Sequence, residues 1–372
     1  MEKIKVLHIM SSLTSSGGVT AVVKNYLEEL DTDKFAFDIA YFLDVKLNMS
    51  EYFLSKNVDL YKFDRLTFKN SKKVVEQLKQ IIIKSNCQII HLHLPIIHYF
   101  VKKAIKKVKK EQNKDVKLIL SSHASQLSYT LIKSLRSQLM LVGVNKNTDK
   151  ILACSKKAGK KFFGREFAKT GEILYNAINL EKFKKQENEK TKKLRENLSL
   201  KDEVVYCHIG RNCKEKNQTF IVDIFNEIVK KQPNSVLLFI GGGGVDVVLQ
   251  LQRKIDSLGL TQKVKFLGAR EDVNVLLNIS HALIFPSLAE GLGLVLIEAQ
   301  VSKTLCFASD VCPEESKISN LVTYLPLSKS AEYWADKILS TKYPEKVELN
   351  KDKYDIKKQI KTLQNIYVNL LK

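Results

Sequence analysis

The chain has 372 residues, of which 44% are hydrophobic, and carries a formal net charge of +21 at pH 7. That length suits two domains of roughly 150 to 200 residues, each with a sizeable core. No apolar run approaches the roughly 18 residues of a membrane span, and the apolar stretch near the start is too short for a secretion signal, so we expect a cytoplasmic protein.

The net charge indicates which partners to expect, and the cysteine spacing indicates whether a metal site is present. A strongly basic chain attracts anionic partners, which include nucleotides, acidic glycans, membrane surfaces and nucleic acids. Because the sequence contains no RNA-reading aromatic motif and no zinc-finger spacing, we expect no nucleic acid partner. The six cysteines form no C-x-x-C pair and no Cys/His metal spacing, so we predict packed thiols and no metal site.

The first predicted unit is a strand, a glycine-containing loop and a helix. The apolar run at residues 5–10 predicts a buried strand, and residues 19–30 carry apolar side chains at helical spacing. Gly17 and Gly18 lie at the start of this helix, where backbone amides can approach a phosphate or a sugar. The loop lacks a P-loop lysine, so a plain chain reversal is an equally good interpretation.

Further apolar runs alternate with helical patterns through the first half of the chain. They predict strands at residues 35–42, 88–94, 117–121 and 150–154. This alternation predicts an α/β fold with a mostly parallel sheet covered on both faces. In such sheets, ligands lie beyond the carboxyl ends of the strands.

Three histidines lie at or near predicted strand ends. His123 follows a strand directly, where a neutral imidazole can hydrogen-bond a sugar hydroxyl. His91 and His93 are two residues apart, so their side chains point to the same face of a strand. Without a third ligand in sequence reach they are a weak metal signal, and a packed, hydrogen-bonded role is the default interpretation.

Residues 101–110 form a basic amphipathic helical pattern. The apolar stripe consists of Val101, Ala104, Ile105 and Val108, and six lysines occupy the other positions. The simplest interpretation is a surface helix that docks on its own sheet. The lysine face also predicts attraction to anionic lipid headgroups, and the two interpretations are compatible.

A charged stretch separates the two halves of the chain. Residues 180–200 are poor in core residues, which is typical of a connection between domains. A predicted strand at 203–209 then leads into a loop that contains Gly210, Arg211 and Lys216. Two fixed cations and loop amides at a strand end suit a diphosphate, although ordinary surface cations are the alternative.

Two more strands are predicted at residues 235–240 and 263–267. The first ends in four glycines at 241–244, which allow the backbone to pass close to a ligand or to a neighbouring loop. After the second strand, a nucleotide base could lie against the segment around Arg270, held by backbone hydrogen bonds.

The stretch from residue 285 to 298 has the strongest signature of a ligand site. A buried strand ends there, and a loop with two glycines opens a helix whose amides suit an anion or a hydroxyl. Glu298 lies about one turn into this helix, so its carboxylate can reach back to the ligand of Glu290. Alternatively, Glu290 caps the helix and Glu298 pairs with a surface lysine. The candidate residues are Glu290, Gly291, Leu292, Gly293, Leu294 and Glu298.

The chain resembles the retaining glycosyltransferases of the GT4 group over nearly its whole length. The motifs that carry the resemblance are Gly17-Gly18, residues 175–179, Gly210-Arg211 with Lys216-Asn217, and Glu290-x7-Glu298. Residues 176–179 read Asn-Ala-Ile-Asn, where the group has Asn-Gly-Ile-Asp. Residues 307–315 and 321–327 look like the exopolysaccharide and capsule branch of the group.

The resemblance implies the GT-B fold, in which two Rossmann-like domains with parallel sheets face each other across a cleft. It implies an acceptor-binding domain at residues 1–178 and a nucleotide-sugar-binding domain at residues 179–352. A C-terminal helix within residues 353–372 would then pack back toward the first domain.

The resemblance also implies a role for each candidate residue. Arg211 and Lys216 would hold the diphosphate of a nucleotide-sugar, Glu298 the ribose hydroxyls, and Glu290 with the amides of residues 291–294 the donor sugar. His123 would face the reacting sugar. The remaining donor-binding candidates are Gly17, Gly18, Gly210 and Arg270. Because the two cations would neutralise the departing diphosphate, we expect neither a metal nor another cofactor.

The implied reaction moves a hexose or N-acetylhexosamine to a lipid-linked saccharide in bacterial surface polysaccharide synthesis, with retention of configuration. We expect a UDP-sugar rather than a GDP-sugar as the donor, and peripheral binding to the inner face of the cell membrane through the lysine-rich helix. A nucleotide-sugar epimerase of the same fold is one alternative. A non-catalytic binding subunit is another, and the intact Arg/Lys and Glu/Glu sets argue against it.

Overall fold

A computed structural model describes residues 2–14, 18–44, 48–67, 69–123, 141, 143–144, 148–186 and 188–372. The chain forms two compact units. The first domain comprises Met1–Ala177 together with Ile356–Lys372, and the second comprises Ile178–Asp355. No helix in the described ranges is both long enough and apolar enough to cross a membrane.

In the described part of the first domain, seven parallel strands form one sheet. The strands are β1 (Ile4–Ile9), β2 (Phe35–Tyr41), β3 (Leu60–Lys62), β4 (Ile89–Leu92), β5 (Lys117–Ser122), β6 (Lys150–Ala153) and β7 (Gly171–Ile173). In space they follow the order β3-β2-β1-β4-β5-β6-β7. The edge strands β3 and β7 are not predicted from the sequence, because each has three residues and is too exposed to form an apolar run.

Helices of the first domain pack against this sheet. They are α1 (Gly18–Glu28), α2 (Ser50–Ser55), α3 (Ser71–Ser85), α4 (His98–Gln112), α5 (Lys156–Phe163) and α6 (Phe167–Thr170). One core joins Leu7, Ile90 and Leu120 of the sheet to Leu78 of α3 and Val101 of α4. The apolar stripe predicted for α4 is therefore buried, and its lysines lie toward solvent.

The second domain repeats the pattern, and its described residues form a parallel sheet of six strands. The strands are β8 (Val204–Ile209), β9 (Ser235–Ile240), β10 (Val264–Gly268), β11 (Ala282–Phe285), β12 (Leu305–Ser309) and β13 (Val322–Leu325). Their order in space is β10-β9-β8-β11-β12-β13. Two parallel Rossmann-like sheets confirm the predicted α/β class.

The helices of the second domain complete its layers. They are α7 (Leu180–Phe183), α8 (Glu189–Asn197), α9 (Gln218–Lys231), α10 (Val245–Ser257), α11 (Val273–Ile279), α12 (Leu294–Val301) and α13 (Ala331–Ser340). The core joins Leu237 and Ile284 of the sheet to Ile221 and Phe225 of α9 and to Trp334 of α13.

The charged stretch at residues 180–200 forms α7 and α8 within the second domain, where a connection between domains was predicted. Leu180, Phe183 and Leu194 are buried. Asn188 caps α8, because its side chain accepts hydrogen bonds from two amides of the first turn. Short helices need few buried residues, so a mostly charged composition does not exclude them.

The last helix, α14 (Ile356–Leu370), belongs to the first domain. Ile360, Leu363 and Tyr367 are buried on it. The Tyr367 hydroxyl lies 2.8 Å from His91 Nδ1, and its ring meets the ring of Phe37 edge-on at 6.3 Å. The chain therefore returns to its first sheet after it has completed the second domain.

Candidate active site

The carboxyl ends of β8 and β11 bring most of the predicted site residues together. These strands are neighbours and parallel, so the loops that follow them start at the same edge of the sheet. After β8, Gly210 and Arg211 precede a 3₁₀ turn at Lys214–Lys216. After β11, the loop passes through Glu290 to Gly293, which is the N-cap residue of α12.

An ion pair joins the two loops. Lys216 Nζ lies 2.5 Å from Glu290 Oε1, across 74 positions of sequence. The two side chains are only 18% and 9% exposed, so solvent and salt screen this pair less than a surface pair. The ammonium also lies 4.7 Å from the centre of the Phe285 ring. Backbone contact supports the pair, since Leu288 N donates to Glu215 O at 2.8 Å.

Arg211 carries the second cation of this loop. Its side chain is exposed, and its carbonyl accepts a hydrogen bond from Gln218 Nε2 at 2.8 Å. The pKa of Glu215 is lowered by a backbone hydrogen bond and further by the positive charges of Arg211 and Lys216. The loop after β8 therefore presents a positive field, which suits an anionic ligand.

The four-glycine run packs against the loop after β8. Gly241 has φ 145°, and a Cβ there would lie 1.8 Å from the carbonyl oxygen of Gly210. Gly244 has φ 53°, and its Cβ would lie 2.0 Å from the carbonyl oxygen of Asn212. The Asn212 amide donates to Gly242 O at 3.0 Å. The sequence predicted that these glycines allow close approach to a ligand or to a neighbouring loop, and the structure shows close approach to the loop after β8.

His208, near the end of β8, was missed from the sequence. Its Nδ1 donates to Ile284 O at 3.0 Å, and its Nε2 is buried with no hydrogen-bond partner among the described residues. Burial lowers the pKa of His208 to about 3, so the ring is neutral. A Cβ on Gly210 would lie 3.3 Å from this Nε2 and 3.2 Å from Lys216 Cε, so the imidazole packs beneath the cationic loop. The available signal is a histidine in an apolar strand just before Gly210-Arg211.

The two alternative roles for the glutamates lack support in the structure. Gly293 is the N-cap of α12 and Glu290 pairs with Lys216, so Glu290 is not the helix cap. Within the described ranges, no lysine forms a salt bridge with Glu298. Burial raises the pKa of Glu298 to about 7, and the positive charge of Lys182 opposes this only in part. Glu298 is thus half-buried on α12, and among the described residues it has no salt-bridge partner.

The remaining candidates of the second domain are the residues at the start of α12 and Arg270. Leu292 is buried, and Gly291, Gly293 and Leu294 are half-buried around the start of α12. Arg270 is held by Asp272, with Nε to Oδ1 at 2.8 Å and Nη2 to Oδ2 at 2.6 Å. This fork fixes the guanidinium beside its own backbone segment.

Gly17 lies outside the described residues. Gly18 is the first residue of α1 and is exposed, and a Cβ there would meet no described atom within 4 Å. No packing contact with a described residue therefore requires glycine at position 18, and both predicted interpretations, ligand contact and chain reversal, stay open.

The first domain holds a separate cluster of histidines at the carboxyl ends of its central strands. His123 Nε2 lies 2.8 Å from His93 Nδ1, and His93 Nε2 lies 2.9 Å from His8 Nδ1. His123 Nδ1 lies 2.8 Å from Asn176 Oδ1. Both ring nitrogens of His123 are therefore engaged with protein atoms. His8 was missed from the sequence, because a single histidine in an apolar strand resembles a core residue.

Burial keeps these rings neutral. It lowers the pKa of His123 to about 4, and it lowers the pKa values of His8, His91 and His93 well below the ordinary value, with a further contribution from the neighbouring histidines. Nitrogens of His8, His91 and His93 lie within 4.8 Å of one another, a spacing that a metal ion can use. However, His91 already contacts Tyr367 and Ser121 through its two nitrogens, so the hydrogen bonds favour the packed role.

Comparison with known proteins identifies the second domain most directly. Residues 189–365 match the family described as Glycosyl transferases group 1. EpsF of Bacillus subtilis (strain 168) is 24% identical over 342 residues, which cover 90% of this chain and 86% of that protein. The capsular polysaccharide biosynthesis glycosyltransferase CapH of Staphylococcus aureus is 23% identical over 323 residues, which cover 85% and 84%.

A third relative matches over a shorter range. The UDP-Gal:alpha-D-GlcNAc-diphosphoundecaprenol alpha-1,3-galactosyltransferase of Escherichia coli is 28% identical over 151 residues, which cover 40% of this chain and 38% of that protein.

The fold has solved counterparts. A crystal structure of Anabaena Alr3699/HepE in complex with UDP and glucose aligns with a TM-score of 0.73 at 17% identity, and the alignment covers 99% of this chain and 97% of that one. This likeness concerns the fold alone and, with the two parallel sheets, confirms the predicted GT-B class. The family match and the two relatives that cover most of the chain support a GT4-type glycosyltransferase, similar to proteins of exopolysaccharide and capsule synthesis.

Proposed function

We propose that this enzyme transfers a hexose or N-acetylhexosamine from a UDP-sugar to a lipid-linked saccharide, with retention of configuration. The observation that carries the proposal is the Lys216–Glu290 ion pair between the loops after β8 and β11, next to the start of α12. A cation, a carboxylate and helix amides at one sheet edge can hold a diphosphate and a sugar side by side.

The proposed donor site works by exchange of partners. In the free protein Glu290 neutralises Lys216. An incoming diphosphate would compete for the lysine, with Arg211 adding a guanidinium that can bind two phosphate oxygens at once. Glu290 would then be released to accept hydrogen bonds from the sugar hydroxyls. As the bond from the anomeric carbon to phosphate breaks, the two cations would stabilise the charge that develops on the leaving group.

Glu298 is the proposed ribose contact. A carboxylate can accept hydrogen bonds from two neighbouring hydroxyls. Those bonds would favour the charged form, which burial alone disfavours at the Glu298 position, where the pKa is raised to about 7. Donor binding and ionisation of Glu298 would therefore support each other.

The proposed choice of UDP and of a lipid-linked acceptor draws on the relatives. The Escherichia coli relative is named for UDP-Gal and a diphosphoundecaprenol acceptor, and Anabaena HepE was crystallised with UDP and glucose. His123 is proposed to lie beside the reacting sugar, as the resemblance implies. We also propose that Arg211 and Lys216 take the place of a metal, so transfer should persist in excess EDTA, and loss of turnover that Mg²⁺ or Mn²⁺ restores would contradict this.

Peripheral membrane binding at the inner face of the cell membrane is proposed from α4. Its apolar stripe is buried and most of its lysines are exposed. Lys106 and Lys110 form no salt bridge with another described residue, so their charges are available to lipid phosphates. Changing both to Glu should weaken co-sedimentation with anionic vesicles at low salt at least about tenfold.

The same change at Lys192 and Lys193 on α8 is the matched control, since these lysines are also exposed. An equal loss of vesicle binding in the two double variants would mean that the net charge of the protein, and not the lysine face of α4, attracts it to the membrane.

A turnover assay tests the transferase proposal. Purified protein is incubated with UDP-sugars and a diphosphoundecaprenol-linked saccharide, and products are followed by mass spectrometry. We expect transfer with the wild type, at least about a 100-fold loss in Glu290→Ala, and normal rates in the control Arg253→Ala, an exposed position on α10. Normal turnover in Glu290→Ala would contradict the site, and a new UDP-sugar formed without acceptor would indicate an epimerase.

A further inference from the structure

We propose that His93 and His8 are positioning residues that hold His123 in a single tautomer and ring orientation. This inference rests on the proposed role of His123 beside the reacting sugar. It concerns two buried side chains that would act on the reaction only through His123.

The four groups form one continuous hydrogen-bonded chain. Asn176 Oδ1, His123, His93 and His8 are joined in that order by contacts of 2.8, 2.8 and 2.9 Å. They come from four different parts of the first domain, since His8 lies on β1, His93 follows β4, His123 follows β5 and Asn176 follows β7. The rings of His8 and His93 stack with an interplanar angle of 11°.

Counting protons gives the chain a direction. A neutral imidazole carries one N–H and one lone pair. Because Asn176 Oδ1 accepts, His123 must donate from Nδ1, and its Nε2 must then accept the N–H of His93 Nδ1. In turn, His93 Nε2 accepts the N–H of His8 Nδ1. Three protons satisfy three bonds, and one lone pair is left over at His8 Nε2, which is the nitrogen that the structure leaves buried without a partner.

The surroundings of His8 determine whether these hydrogen-bonded histidines can conduct a proton. His8 is fully buried, and its ring lies 4.2 Å from the ring of Phe37. A proton that entered at His123 would have no route to solvent at the His8 end, and burial disfavours a charged ring at every position. Proton conduction is therefore not available to this chain. What remains is orientation, because each ring is fixed by the hydrogen bond of the next.

Orientation has a kinetic consequence. Without His93, Nε2 of His123 loses its donor, so the ring can adopt either tautomer and turn about its terminal torsion. A loosely held contact beside the reacting sugar slows the chemical step, and misplacement on the scale of an ångström has large effects on rate. We expect His93→Leu to lower kcat about tenfold or more and to leave the KM for the UDP-sugar nearly unchanged, because the proposed diphosphate and ribose contacts lie in the second domain.

A conservative variant separates positioning from simple packing. In His93→Gln the amide nitrogen can donate to His123 and the amide oxygen can accept from His8, so the direction of the chain is kept. This variant should recover most of the kcat that His93→Leu loses. His8→Leu removes only the last hydrogen bond, so its kcat should lie between the values of the wild type and His93→Leu. His98→Gln is the control, because His98 is buried in the same domain but bonds to Pro95 O at 2.9 Å, outside the chain.

The direct test is ¹⁵N NMR of the histidine rings in the full-length protein, with selectively labelled histidine and His123→Gln used for assignment. We expect His123, His93 and His8 to carry their protons on Nδ1 in the wild type. In His93→Leu, His123 should show averaged or mixed tautomers, whereas His93→Gln and His98→Gln should keep the wild-type pattern for His123.

Two results would overturn the inference. One is a wild-type His123 with its proton on Nε2 or in a mixture. The other is a His93→Leu protein in which the His123 ring signals and kcat are those of the wild type. These results are distinct from a failure of the proposed function, which would appear as normal transfer by His123→Ala whatever the tautomers are.

Discussion

The two domains each place polar groups at the carboxyl ends of parallel strands, but the groups differ in charge and accessibility. In the second domain, Lys216 and Glu290 are oppositely charged and partly exposed. In the first, His8, His93 and His123 are neutral and largely buried. A charged pair that solvent can reach can exchange one partner for a ligand, whereas a buried neutral chain can only hold its members in place. The comparison separates ligand binding from positioning.

The largest expected effect comes from removing the cation of the pair. Lys216→Met should lower the affinity for UDP about 100-fold or more, since a charge-assisted contact to the diphosphate is lost. The measurement is isothermal titration calorimetry with UDP. Lys214→Met, at an exposed lysine in the same turn, is the matched control and should bind UDP normally.

Loss of folding must be distinguished from loss of affinity in this variant. Lys216→Met leaves Glu290 without its cation, which is destabilising for a carboxylate that is only 9% exposed. The double variant Lys216→Met/Glu290→Gln removes both charges and should fold normally. If the double variant binds UDP as tightly as the wild type, Lys216 is not a diphosphate contact.

The buried side of the comparison predicts a change in stability without a change in affinity. His91→Leu leaves the Tyr367 hydroxyl and Ser121 without their partner, at a cost of about 2–3 kcal/mol in the free energy of unfolding. UDP affinity should be unchanged, since the proposed contacts lie in the other domain. Chemical denaturation and calorimetry on the same samples give both quantities. Weaker UDP binding by a folded His91→Leu protein would contradict the claim that the buried histidines do not affect UDP binding.

The smallest effect concerns Glu298 and pH. Burial raises its pKa from 4.5 to about 7 in the folded protein, so the folded state holds a proton that the unfolded state has released between these values. The contribution of Glu298 to the free energy of unfolding should therefore be fully present below about pH 4.5 and decline as the pH rises to about 7. Because Glu298 is only partly buried, solvent screens its charge, and we expect a decline of about 1–2 kcal/mol.

Glu298→Gln should remove this component of the pH dependence. Urea unfolding of both proteins at pH 5 and pH 7.5 measures it, and the same pH dependence in both would show that Glu298 titrates normally.

The grouping of the candidate residues was predictable where local motifs mark strand ends. The positions of Lys216 and Glu290 follow from glycine-containing loops after apolar runs, and both lie in one site of the structure. Their direct contact was not predictable, because periodicity within a strand does not state which loops meet. His8 and His208 were missed for a related reason, since a buried histidine in an apolar strand has the same pattern as a packed core residue.

The fold was predictable to a similar extent. Long apolar runs gave the central strands, as in β1 and β9. The strand β3 and the helix α8 lack that signal, because β3 has three residues and α8 buries only Thr191 and Leu194. Edge strands and short helices are stabilised by contacts with elements far away in sequence, so local patterns identify them poorly.

The UDP affinity of Glu290→Gln tests the exchange of partners most directly. Glutamine keeps the shape of the side chain but no longer competes for Lys216, so calorimetry at pH 7.5 should show UDP binding at least as tight as in the wild type, while sugar transfer is lost. Weaker UDP binding by a folded Glu290→Gln protein would contradict the account, because it would mean that Glu290 helps to hold the diphosphate site and does not compete with the ligand for Lys216.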